Sequence, residues 1–150
     1  MIKLLLLLLS FHTLFAQQVE ISADSFEADE NKMVSILKGN VLLQKGEDII
    51  HAQMLTITFD KNNKPLNYLA QGGVSFDINT QNQSFDGQAK TLSYNPSTLI
   101  YEIKGNAYIH EKSQNRKLYG QHIMIDRKSG KSTIKGSKQR PVKFIFEVKE

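Results

Sequence analysis

Residues 68–78, Tyr68-Leu69-Ala70-Gln71-Gly72-Gly73-Val74-Ser75-Phe76-Asp77-Ile78, carry small or apolar side chains at every second position. A period of two is the signature of a half-buried β-strand rather than of a helix. The same parity runs through Tyr101, Ile103, Gly105, Ala107 and Ile109, and a shorter stretch alternates Leu55, Ile57 and Phe59 with Met54, Thr56 and Thr58. Helical periodicity is almost nowhere to be found. The chain reads as all-β.

Working outward, the arms recur in a fixed order. Each unit closes its first arm on an apolar residue followed by an acid or amide: Ala28-Asp29, Phe59-Asp60, Tyr94-Asn95 and Ile125-Asp126. A polar turn-forming stretch follows each, as at Lys61-Asn62-Asn63-Lys64-Pro65 and Lys128-Ser129-Gly130-Lys131. The second arm then reaches Gly39, Gly72, Gly105 or Gly136, glycines spaced 33, 33 and 31 residues apart. This spacing predicts four stacked antiparallel hairpins, with Val142, Phe144, Phe146 and Val148 forming a last strand. Glycines inside the arms mark bulges or bends at one shared level. Strands bent there would fold the stack over itself into an open, twisted jelly-roll. A parallel β-helix is the competing architecture, ranked second because turn signals join adjacent arms.

At the amino end, Lys3, the apolar run from Leu4 to Leu9 and Phe11, and the small Ala16 follow the plan of a secretory signal. Residues 1–16 are expected to be a cleavable signal peptide and residues 17–150 one domain. The apolar run is shorter than the ~20 residues a spanning helix requires. Export makes nucleic acid an unsuitable partner. With no cysteine there is no disulfide, thiolate metal site or lipid-modified cysteine.

Candidates for chemistry are sparse. His51, His110 and His122 are far apart and share no metal-ligand spacing, and they read as exposed strand residues. No nucleophile elbow, phosphate-cradling loop or zinc helix is present. Neither an enzyme, nor a cofactor, nor a metal site is expected.

Two features stand out. The inward parity is rich in large apolar residues, and those expected to meet an apolar ligand are Val19, Ile21, Leu37, Val41, Leu43, Leu55, Ile57, Phe59, Val74, Phe76, Leu92, Tyr94, Ile103, Ile109, Ile123 and Phe144. The pattern alone favours an ordinary sandwich core; it becomes a greasy groove only if the two halves splay. Charge is also divided: residues 17–60 hold eight acidic and three basic side chains (−5), residues 112–143 ten basic and one acidic (+9). In a stack, sequence order is spatial order. Opposite ends would attract head to tail, or the basic end, with Arg116, Lys117, Lys138 and Arg140, would meet anionic headgroups or a partner.

Lys38-Gly39-Asn40-Val41, Lys104-Gly105-Asn106-Ala107-Tyr108, Ile21-Ser22-Ala23-Asp24 and the Gly-x-Ala at Gly87 to Ala89 together resemble the LptA/OstA family of periplasmic lipopolysaccharide-transport proteins. The resemblance spans essentially the whole chain after the leader. It implies an OstA-like β-jelly-roll, open at both ends, that carries the acyl chains of lipopolysaccharide (lipid A) across the periplasm. It also implies self-association end to end, an LptC-like inner-membrane partner and an LptD-like outer-membrane partner. By local match it sets Val19, Ile21, Phe76 and Tyr94 against lipid. Gln18 stands where a proline is common in the family, and the chain stops soon after Phe146. A structural adaptor without lipid, an exported polysaccharide-acting enzyme and an LptC-like anchored component are the competing readings.

Overall fold

The computed structural model describes residues 18–79 and 84–150; the expected signal peptide lies outside the described residues. Ten strands follow one another: β1 (Val19–Ser22), β2 (Ser25–Asp29), β3 (Val34–Lys45), β4 (Asp48–Phe59), β5 (Pro65–Asn79), β6 (Ser84–Asn95), β7 (Ile100–Glu111), β8 (Arg116–Asp126), β9 (Lys131–Lys135) and β10 (Lys143–Ile145). They form one sheet in the order β1-β3-β4-β5-β6-β7-β8-β10, with β2 also pairing β3 and β9 also pairing β8. Every pairing is antiparallel. The β-helix alternative is thereby excluded, and the open all-β jelly-roll expected from the hairpin repeat is what the chain adopts.

The acid or amide that ends each first arm works as a turn cap. Asp29 Oδ1 accepts the Lys32 amide at 3.0 Å, and Asp60 Oδ1 accepts those of Asn62 and Lys64 at 2.8 and 3.0 Å. Asn95 Oδ1 accepts the Ser97 and Thr98 amides, and Asp126 Oδ1 those of Lys128 and Ser129. A short side chain that bonds the backbone two or three residues on stands in for a turn hydrogen bond. This is the physical content of the repeat.

The glycines do the bending. Gly39-Asn40, Gly72-Gly73 and Gly105-Asn106 all have φ between 47° and 84°. At each pair two residues face one on a neighbouring strand, as where Lys38 and Val41 pair with Met54 and Ala52. Such bulges bend and twist a strand. Three at one level divide the sheet into an upper half, ending at Lys45, Asp48, Asn79, Ser84, Glu111 and Arg116, and a lower half that ends in the Asp- and Asn-capped turns. The fourth glycine departs from expectation. Gly136 has no positive φ and follows the end of β9; the chain then turns, with the Ser137 amide bonded to the Arg140 carbonyl at 2.8 Å, before β10 rejoins β8. The last strand is also shorter than predicted, three residues rather than a run from Val142 to Val148.

Each half presents an apolar row to the inside, because directly opposed residues share a face. In the lower half Leu37, Leu55, Ala70, Leu92, Ile103, Ile123 and Ile134 are successive cross-strand partners over seven strands. In the upper half the corresponding row is Ile21, Leu43, Ile50, Phe76, Gly87, Ile109, Leu118 and Phe144. Ile103, Ile123 and Val74 are the largest fully buried side chains, and the buried residues of both halves make one cluster.

Candidate functional site: an apolar trough

The two halves do not close on each other completely. A cavity of about 220 Å³ near the amino-terminal end is lined by Leu43, Ile50 and Ile78 of the upper half and by Leu55, Tyr68, Leu92, Tyr94 and Tyr101 of the lower. A second, of about 430 Å³ towards the carboxyl-terminal end, is lined by Phe76, Phe85, Ile109 and Leu118 above and Leu92, Ile103, Ile123 and Ile125 below. Ile78, Leu92 and Tyr101 belong to both linings, so the spaces adjoin. Together they make a trough that runs from β1 to the β8–β9 turn.

The lining is largely aliphatic and aromatic. Tyr68, Tyr94 and Tyr101, cross-strand neighbours in one row, stack with ring centroids 6.4 and 4.3 Å apart. Burial raises the pKa of Tyr101, with further upward pushes from Tyr94 and Asp48 and a downward one from Arg127 beside its hydroxyl. Tyr68 is raised for the same first reason, and then by Tyr94. Both phenols are neutral in this setting. The charged groups among the lining residues, Lys45, Asp48, Asp126 and Arg127, lie at strand ends or in a turn, that is, at the rim.

Of the residues expected to meet a ligand, Val19, Val41, Leu43, Leu55, Leu92 and Tyr94 line the first cavity, and Phe76, Leu92, Ile103, Ile109 and Ile123 the second. Leu37, Ile57 and Val74 are buried in the core without lining either, and Ile21 and Phe59 pack against that core from its margin. Phe144 is opposite Leu118 and so keeps the inward parity, but it is 54% exposed and stacks on Phe146 at 5.1 Å instead of joining the cluster. An edge strand of three residues has too little sheet beyond it to cover a phenyl ring. The ligand-facing set expected from sequence left out Ile50, Tyr68, Ile78, Phe85, Tyr101, Leu118 and Ile125; their positions in the pairing rows are the signal that finds them.

The four cations gather at the carboxyl-terminal end but not at one point. Arg116 Nε is 3.3 Å from Glu111 Oε2 at the β7–β8 turn, so its charge is already engaged. Lys117 pairs with His110 and Ile145, on the face opposite the apolar row. Lys138 and Arg140 lie in the loop between β9 and β10, where Arg140 Nη1 donates to Asn106 Oδ1 at the bulge level.

His51 is exposed on β4 as expected, whereas His110 and His122 are part-buried, each beside a carboxylate. His110 Nδ1 is 3.4 Å from Asp86 and its Nε2 is 2.8 Å from Asn115 Oδ1, while His122 Nε2 is 3.4 Å from Glu102. Among the described residues no three His, Cys, Asp or Glu side chains are gathered as a metal would need.

Residues 20–131 match the family profile described as LptA/(LptD N-terminal domain) LPS transport protein. No curated protein matches the chain in sequence. Among solved structures, a crystal structure from Pseudomonas aeruginosa superposes with a TM-score of 0.75 at 17% identity, covering 88% of this chain and 96% of the other. That protein is LptH, described as the LptA homologous periplasmic component of the conserved lipopolysaccharide transport device. At that identity the likeness speaks for the fold.

Proposed function

The chain belongs to the LptA/LptD N-terminal-domain family of lipopolysaccharide transport proteins, and from that membership we propose that it is a periplasmic carrier whose trough shields the acyl chains of lipid A between the two membranes. The observation that carries this reading is the continuity of the apolar lining through two cavities that share Ile78, Leu92 and Tyr101.

The physics is that of transfer out of water. Each methylene withdrawn from solvent is worth about 0.8 kcal/mol, so shielding ten of them contributes on the order of 8 kcal/mol. That suffices to hold a lipid without any bond being made or broken. The protein's work is to exclude water; direction comes from an energy-using machine elsewhere. The family is one of transport proteins, and the role proposed here calls for no catalytic group.

In this reading residues 1–16 direct export and are removed, and residues 17–150 act as one unit. Among the described residues both edges of the sheet remain unpaired, β1/β2 at the acidic end and β9/β10 at the basic end. Open edges with complementary charge suit head-to-tail addition of another β-edge, from a second copy or from LptC-like and LptD-like partners.

Calorimetric titration of the secreted chain with lipopolysaccharide, and with the same glycan stripped of its acyl chains, tests the reading. Saturable binding of the acylated form alone is expected. Equal binding of both forms, or of neither, would refute an acyl-chain carrier.

A further inference from the structure

The two cavities meet at Tyr101, whose cross-strand partner is Ile125; Arg127, two residues further on, shares the lining of the second cavity with Tyr101 at the lower rim of the trough. Arg127 is exposed, and no carboxylate of the described residues lies within ion-pair distance of it. Its chain neighbour Asp126 is occupied, accepting the amides of Lys128 and Ser129 at 2.9 and 3.1 Å. The Arg127 amide donates to the Leu99 carbonyl at 3.0 Å, which fixes the root of the side chain against the neighbouring turn. Lys128 on the same turn and Lys131 at the start of β9 add positive potential. On the facing rim Asp48 is held by the Asn79 amide, which donates to its Oδ1 at 2.8 Å. The result is a cation with no counter-charge among the described residues, held on the lower rim of the second cavity, close to the phenol that both cavities share.

We propose that Arg127 and Tyr101 form an anion site on this rim that takes the phosphate monoester of an acylated amphiphile, whose chains occupy the two adjoining cavities. This rests on the carrier reading and specifies where the headgroup sits. A guanidinium offers a planar fork that matches two phosphate oxygens, and the neutral Tyr101 hydroxyl can donate to a third. Asp48, which shares the first cavity's lining with Tyr101, disfavours an anion nearby and so sets an upper limit on affinity.

The test is calorimetry of the secreted chain and of Arg127→Gln, Arg127→Lys and Asp48→Asn with three probes: bisphosphorylated lipid A, fully dephosphorylated lipid A and inorganic phosphate. Unmodified protein is expected to prefer the phosphorylated lipid by about tenfold, the effect of one charge-assisted contact. Arg127→Gln loses that preference while holding dephosphorylated lipid as before, Arg127→Lys keeps part of it, and Asp48→Asn enlarges it. Inorganic phosphate alone does not bind measurably, because the acyl chains supply the anchoring. A preference that survives Arg127→Gln overturns the site, as does equal binding of both lipids by unmodified protein. Binding of inorganic phosphate as tight as that of lipid would make it a free-phosphate site and overturn the proposal. Failure to bind either lipid overturns the carrier reading itself, a result distinct from the others.

Discussion

Phe76 and Gly87 are cross-strand partners on β5 and β6, and the phenyl ring of the first fills the space in which a side chain on the second would stand. A Cβ on Gly87 would overlap that ring and the Tyr108 carbonyl. The glycine is there for room rather than for backbone freedom, and it makes space for the Phe76 ring, which lines the larger of the two cavities.

Gly87→Ala is therefore expected to destabilise the protein by about 1–3 kcal/mol, the usual cost of overpacking. Phe76→Leu should relieve only part of this, since the Tyr108 carbonyl remains in place. Urea denaturation of the two single variants and the double variant measures the coupling, and additive losses would show that the ring is not the obstacle.

Ile103 and Ile123 are direct cross-strand partners with 2% and 1% exposure. Truncating Ile123 to Ala is expected to cost about 2–5 kcal/mol, since seven strands meet along this row and the site cannot collapse. A loss near the lower bound would indicate that the trough relaxes into the gap. Chemical denaturation monitored by tyrosine fluorescence reads the difference.

Asp60 accepts two backbone amides in the β4–β5 turn. Asp60→Ala should cost about 1 kcal/mol, the net worth of a lost turn hydrogen bond, and raise amide exchange locally at Asn62 and Lys64. Unchanged exchange at those two amides would contradict the capping role.

Hydrogen bonds from Ser113, and then from the Gln114 amide and Arg116, hold the Glu111 carboxyl below its ordinary value of 4.5. The Ser129 amide does the same first for Asp126, whose ordinary value is 3.8. A depressed carboxylate contributes stability that is fully present above the unfolded value and is lost as pH falls through the folded one. Unfolding midpoints should therefore decline below pH 4.5, and Glu111→Gln with Asp126→Asn should flatten that decline. An identical slope in the double variant would contradict the assignment.

Much of this was legible in the residues alone. The strand parity, the Asp/Asn stops and three of the four glycine levels gave the hairpins and their bends, because each is a local matter of backbone chemistry. Gly136 misled because the glycine spacing does not reveal that β9 ends there and the chain leaves the sheet. Phe144 misled for a related reason: parity gives the face a side chain points to, but not whether enough sheet lies beyond to cover it. Ile50 was hidden by Ile49, since two adjacent apolar residues satisfy either parity and only pairing with Leu43 and Phe76 decides between them. Arg127 carried no sequence signal at all. Its place on the rim of the second cavity follows from the Arg127 amide bonding the Leu99 carbonyl in the turn after β8, a contact that only the folded sheet creates.

The central claim is that the interior of the trough, and not its outer face, touches lipid. Photo-crosslinking in cells from a probe amino acid at Leu92, shared by both cavities, against one at Asn67, whose partner Thr58 belongs to the outward parity, tests it directly. The account predicts a lipopolysaccharide adduct from position 92 and none from position 67. Adducts of equal yield at both, or at 67 alone, would contradict it.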